Sequence, residues 1–287
     1  MAFEIPDHFY KSFTTNVELL LQEKQPVMAM GVNLQMYTGE EAQVVKQFGE
    51  VEFNEKVSRQ ADTQFASLNH KQRWVFPTDY TLALPVDKED ELRMLNSPLS
   101  PYADAMRAAW ARKVNAVVRD ALLGTAKTGK NGATSTAFDT ANQQIAAAAS
   151  GLTVAKLRTA REKLRASQVD LDEPLYIAVK AKQITDLLST TEVTSSDYNS
   201  VKALVAGEVD TFMGFKFIHY ENLTADGSSN DRVIAWAKSG CVLGQWNGLE
   251  TRIGERPDKE YTNQVFMRGT IGATRTQEPK VVEILCA

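Results

Sequence analysis

The chain has 287 residues, enough for one large domain or two modest ones with a sizeable buried core. Its 43% hydrophobic and 24% charged residues are those of an ordinary globular protein, and 32 basic against 36 acidic residues leave a formal charge of -4. That balance argues against a basic nucleic-acid reader, though not against passive confinement of DNA. Two separated cysteines, Cys241 and Cys286, without CxxC spacing, rule out a disulfide scaffold and read as reduced, partly buried thiols. No run approaches the length of a membrane span, and Met1 to Lys24 lacks the apolar core of a signal peptide. The chain is expected in a cytoplasm, at least at first, with no membrane partner.

Residues 7–24 predict an amphipathic helix: Phe9, Phe13, Val17, Leu20 and Leu21 recur at three- and four-residue spacings, and Pro26 ends the pattern. Alone it would be marginal, so its apolar face needs a partner surface. Two period-two stretches follow. Val51, Phe53 and Val57 alternate with Glu50, Glu52, Asn54 and Lys56; Trp74, Phe76, Tyr80, Leu82, Leu84 and Val86 alternate with polar or small residues. The polar segment Gln60 to Gln72 between them suggests the tip of a long hairpin, with limbs reaching roughly 45 Å. The alternative is two ordinary strands that bend or break at Pro77. A projecting arm with an apolar face requires another subunit to cover it.

The acidic stretch Asp87-Lys88-Glu89-Asp90-Glu91 reads as solvated or interface rim. Ser100 as N-cap and Pro101 in the first turn open the clearest helix, with Tyr102, Met106, Ala109, Trp110, Val114, Val117, Ala121 and Leu122 on one stripe and Gly124 at its stop. Residues 124–151, rich in small and polar side chains, predict a loop or loose hairpin. Leu157, Ala160 and Leu164 mark a helix, Leu175 to Val179 a buried strand, and Ala181 to Ser189 a further helix. Met213, Phe215 and Phe217 alternate as a strand, and Val233 to Trp236 continue the apolar β signal; Leu249, Thr251 and Ile253 alternate, then follow Val265 to Thr274 and Val281 to Leu285 as further strands, with Asn247-Gly248 as a tight-turn dipeptide before the first of these. The class is α+β.

Gly124-Thr125-Ala126-Lys127-Thr128-Gly129-Lys130-Asn131 matches a phosphate-binding loop except at its last position, where Asn131 replaces the Ser or Thr that would hold magnesium. It follows a helix, where the motif requires a preceding strand and a following helix. His8, His70 and His219 lie far apart, neither cysteine sits in a nucleophile motif, and Asp170, Asp172 and Glu173 read as an exposed acidic turn. No catalytic, cofactor-binding or metal-binding residue is assigned.

Residues 153–287 carry a resemblance. Val154 to Arg158, Pro174 to Val179 and Ile184 to Leu188, then Gly207-Glu208-Val209-Asp210-Thr211-Phe212-Met213-Gly214-Phe215-Lys216-Phe217-Ile218 and Glu221-Asn222-Leu223, resemble the axial domain of tailed-phage major capsid proteins. That fold, the Hong Kong phage type, is shared with herpesvirus and nanocompartment shells. The resemblance implies an N-terminal arm (1–35), an extended hairpin loop (36–92), a peripheral domain with a spine helix (93–151), an axial domain (152–247) and returning β-strands of the peripheral domain (248–287). It implies a coat subunit without enzymatic activity that assembles through pentamers and hexamers into an icosahedral head around packaged double-stranded DNA. A separate scaffolding protein and a portal are expected partners, with the virion as its location and the host cytoplasm as its place of assembly. Some relatives crosslink through a Lys on the loop, for which Lys56 or Lys71 are candidates. Two alternatives stand beside it: a nanocompartment shell enclosing an enzyme, and a nucleotide-binding enzyme using Gly124–Asn131.

Overall fold

The computed structural model describes residues 23–39, 42–49, 51–53, 55, 58–59, 65, 70–86, 99–189 and 211–287. The expected helix up to Gln22, His8, Lys56, Val57, most of the 60–72 tip, the Asp87–Glu91 run and Gly207–Asp210 lie outside them. In chain order come strands β1 (Asn33–Met36), β2 (Ala42–Phe48), β3 (His70–Val75) and β4 (Thr78–Val86), then helix α1 (Leu99–Leu123). Next are β5 (Ala126–Thr128), β6 (Thr134–Thr136), α2 (Thr140–Gln143), β7 (Gln144–Ile145), α3 (Val154–Ala166), β8 (Leu175–Val179) and α4 (Ala181–Ser189). The rest is β: β9 (Thr211–Phe212), β10 (Phe215–His219), β11 (Asp231–Ala237), β12 (Cys241–Arg256), β13 (Thr262–Arg275) and β14 (Val281–Cys286). The fold is α+β.

Three sheets result, ordered β7-β14-β11-β8-β10-β9, β1-β12-β13-β4 and β2-β3-β5-β6. The six-stranded sheet is buried on both faces, which is why β8, β11 and β14 read as continuous apolar runs. Along β11, Val233, Ala235 and Ala237 enter one core with Leu157, Ala160, Leu164 and Leu187 from α3 and α4. Ile234 and Trp236 point the other way, to Val114, Val118 and Leu122 of α1. The strand period of two thus splits one strand between two cores. Thr153 caps α3 by accepting from the Lys156 amide.

Helix α1 spans 25 residues, a rod of about 37 Å, and starts at Leu99, one residue before the expected cap. It crosses the four-stranded sheet, where Met106 packs on Val265 and Met267. A Cβ at Gly269 would lie 2.4 Å from the Trp110 ring, so glycine there permits the contact. At the stop, the Gly124 amide donates to the Asp120 carbonyl at 2.8 Å, leaving no room for a Cβ.

Four expectations are corrected. The strand paired with β3 is β2, Ala42↔Val75 through Phe48↔His70, while Val51–Phe53 is not strand. Residues Thr78–Val86 do not continue the arm: the chain breaks at Phe76–Pro77 and β4 joins β13 in another sheet. Proline has no N–H for a ladder, so the strand ends where Pro77 stands. Asn247-Gly248 makes no turn, because the register shifts there within one continuous β12 and a bulge absorbs the dipeptide. Finally, Val281–Cys286 pairs with β11 and β7 in the six-stranded sheet, not with the returning strands β12 and β13.

Candidate assembly surfaces

The β2–β3 hairpin is rooted by polar ties. Arg73, nearly buried, donates from Nη2 to both Glu278 carboxylate oxygens, at 2.8 and 2.6 Å. Arg275 lies wholly inside, donates to the Leu122 and Gly124 carbonyls at 2.8 Å each, and approaches Glu278 at 3.5 Å. A cation on the last carbonyls of α1 also complements the helix dipole. Burial pulls the Arg275 pKa down from its ordinary value, and Glu278 opposes that pull. Trp74 Nε1 donates to the Gly129 carbonyl at 2.7 Å, and Gln47 Nε2 to the Thr276 carbonyl at 2.5 Å. Beyond this root, among the described residues, Val51 is half exposed, Phe53 fully, and Phe65 is 95% exposed. Apolar side chains exposed on a projection offer area that a second surface can bury.

A second projection is the β12–β13 ribbon, whose residues 251–261 are all exposed. Sixteen residues in β12 reach about 53 Å. Its tip turns through Glu260 (φ 50) and Tyr261 (φ 57), with the Thr262 amide donating to the Lys259 carbonyl at 2.9 Å. One face carries an ionic row in which Glu250 binds Arg252 at 2.6 Å and Arg268 at 2.7 Å.

The resembling phosphate loop is a β-hairpin: β5 pairs with β6 through a turn at Lys130–Gly132, so no helix N-terminus faces it. Its work is to hold the arm's root. A Cβ on Gly132 would lie 2.8 Å from the Phe76 ring, and Gly129 receives the Trp74 bond. His70 opens β3, and His219 Nε2 lies 2.9 Å from Glu221 Oε1, so the two stay apart. Among the described residues, no three His, Cys, Asp or Glu side chains gather as metal ligands, and no helix is long and apolar enough to cross a membrane. Burial pushes the Cys241 thiol up to about 12 and the Cys286 thiol to about 11, the opposite of an activated nucleophile. The acidic turn is held from behind by Arg165, which donates to the Val169, Asp170 and Leu171 carbonyls.

One polar centre has no signal in the sequence. Lys156, on the buried side of α3, shares its three ammonium hydrogens among the carbonyls of Ala147, Ser150, Gly151 and Leu285, at 2.8, 2.8, 2.9 and 3.0 Å from Nζ. It fixes a turn in which Ala148 and Ala149 both adopt φ 48, a conformation alanine takes only under constraint. Periodicity places Lys156 on the helix, but only the folded loop shows four carbonyls converging on it.

The capsid structure of cyanophage P-SCSP1u resembles the chain with a TM-score of 0.74 at 15% identity, over 98% of this chain and 94% of that one. The capsid of Ralstonia phage GP4 gives 0.75 at 10% identity, over 100% and 97%, and Mycobacterium phage Che8 gives 0.69 at 17%, over 99% and 98%. At such identities the likeness establishes the fold. A search of the curated proteins returned no match. The phage capsid protein family model matches residues 5–287, and the chain belongs to that family.

Proposed function

We propose that this chain is the major coat subunit of a tailed phage, closing into an icosahedral head around double-stranded DNA. The observation that carries the reading is the hairpin: a firmly anchored root and, beyond it, Phe53 and Phe65 exposed among the described residues. The hydrophobic effect favours placing them against a second copy. The mild negative charge of -4 suits a wall that encloses DNA without gripping it, since tight phosphate binding would impede filling and release. A separate scaffolding protein, a portal and assembly in the host cytoplasm belong to the same reading, and the chain acts without catalysis. In that reading the arm is cut back to the β2–β3 hairpin, because Thr78–Val86 joins β13; α1, β4 and the β12–β13 ribbon form the peripheral body, and the six-stranded sheet with α3 and α4 forms the axial body, the last strand Val281–Cys286 included.

The double variant Phe53→Ser, Phe65→Ser tests this. Both side chains are exposed in the subunit, so its stability should change by no more than about 0.5 kcal/mol per site. Sedimentation velocity should nevertheless show assembly lost. Shells forming as readily as in the wild type would remove the basis of the reading. Particles made with the neighbouring genes should hold nuclease-protected DNA; an enzyme inside them would instead support the nanocompartment alternative.

A further inference from the structure

We propose that Arg73, Glu278 and Arg275 form a latch that sets the angle at which the hairpin leaves the subunit, and through that angle the diameter of the shell. The inference rests on the coat reading. Its starting point is the junction at Phe76–Pro77, where the chain passes from β3 in one sheet to β4 in another. Across a break between two sheets only the short β3–β5 pairing, Arg73↔Thr128 and Trp74↔Lys127, limits the swivel in the backbone. Here the swivel is blocked from several sides.

The Phe76 carbonyl runs flat against β13, where a Cβ on Gly272 would lie 2.3 Å from its oxygen, so only glycine admits the crossing. The Phe76 ring rests on Gly132 and the Trp74 indole is bonded to Gly129, both in the β5–β6 turn that leaves the end of α1. The ion pair is the directional part. Glu278 sits between two buried guanidiniums from different bodies: Arg73 on the hairpin, and Arg275, which is itself fastened to the final carbonyls of α1. The paired oxygens of Glu278 on Arg73 Nη2 constrain the hairpin relative to the helix at a lever's short end. A small rotation at the root displaces the exposed phenylalanines at the far end by much more, so the contact with a neighbouring copy moves.

The chosen variant is Arg73→Met. It releases the hairpin while leaving Glu278 paired with Arg275, so the body keeps a neutral ion pair and should fold. Arg73→Lys keeps the charge but shortens the reach to Glu278, and answers the same question should Arg73→Met fail to fold; Arg158→Met, on an exposed face of α3, is the control. Hydrogen exchange on the unassembled subunit should show residues 42–48 and 70–75 opening about tenfold faster in Arg73→Met, with the six-stranded sheet unchanged. Electron microscopy of particles made with the neighbouring genes should show the single wild-type diameter replaced by mixed diameters or open sheets. Unchanged exchange in the hairpin, or shells of wild-type diameter and hairpin angle, would overturn the latch. If even the wild type builds no shell, the coat reading fails, and the exchange rates still decide whether the hairpin is latched.

Discussion

Trp236 shows how much of the molecule depends on single side chains. It is fully buried, stacks with Tyr176 at 6.1 Å between centroids, and donates its indole N–H to the Gly31 carbonyl at 2.7 Å. Gly31 admits it because a Cβ there would lie 2.8 Å from the ring. The two thiols are equally enclosed, and their chemistry gives a pH dependence. Their ordinary value is 9.0, against about 12 for Cys241 and about 11 for Cys286 in the fold. Above pH 9 the unfolded chain releases these protons while the folded chain keeps them, so the stability present below pH 9 is lost as pH rises toward the folded values. At pH 10 the loss should be roughly 1 kcal/mol per thiol, read from urea unfolding at pH 8 and pH 10. Cys241→Ala should flatten the decline; an equal decline in that variant would mean that other groups cause it.

Elements were legible where periodicity and punctuation agreed. The stripe from Met106 to Leu122 located α1, and Leu157, Ala160 and Leu164, all fully buried, located α3. Pairing was not legible, because partner choice depends on contacts between residues far apart in sequence. Tyr80, Leu82 and Leu84 alternate as a strand should, yet nothing local says that β13 and not residue 51–57 lies beside them. Lys156 and the Arg73–Glu278–Arg275 group escaped for the same reason, since each gathers residues more than a hundred positions apart. The ribbon tip is a local exception. Glu260 and Tyr261 adopt positive φ without a glycine, so no turn dipeptide announces it. Tyr261→Gly should therefore stabilise the subunit by about 0.5–1 kcal/mol, measured as a higher urea midpoint at unchanged slope. A lower midpoint would mean that the Tyr261 ring contributes packing that outweighs its backbone strain.

At the scale of the whole molecule, two well-filled cores share one six-stranded sheet, and both projections leave it uncovered. The two cores are filled from within the subunit, whereas Phe53 and Phe65 on the arm are exposed. Under the proposed function that division separates folding from assembly: the cores hold the subunit, and the arm's exposed phenylalanines are the surface proposed to be buried when copies meet. The arm is β2–β3, shorter in its strands than periodicity suggested, and the longest strand pair is instead β12–β13. Membership of the phage capsid protein family agrees with this economy, since one chain must present several contacts at once. The most direct test is a cryo-electron microscopy reconstruction, at side-chain resolution, of particles assembled from this chain. It should show a closed icosahedral shell with Phe53 and Phe65 of each subunit buried against a neighbouring copy. A shell in which both rings face solvent, or a chain that stays monomeric with its neighbouring genes present, would contradict the account.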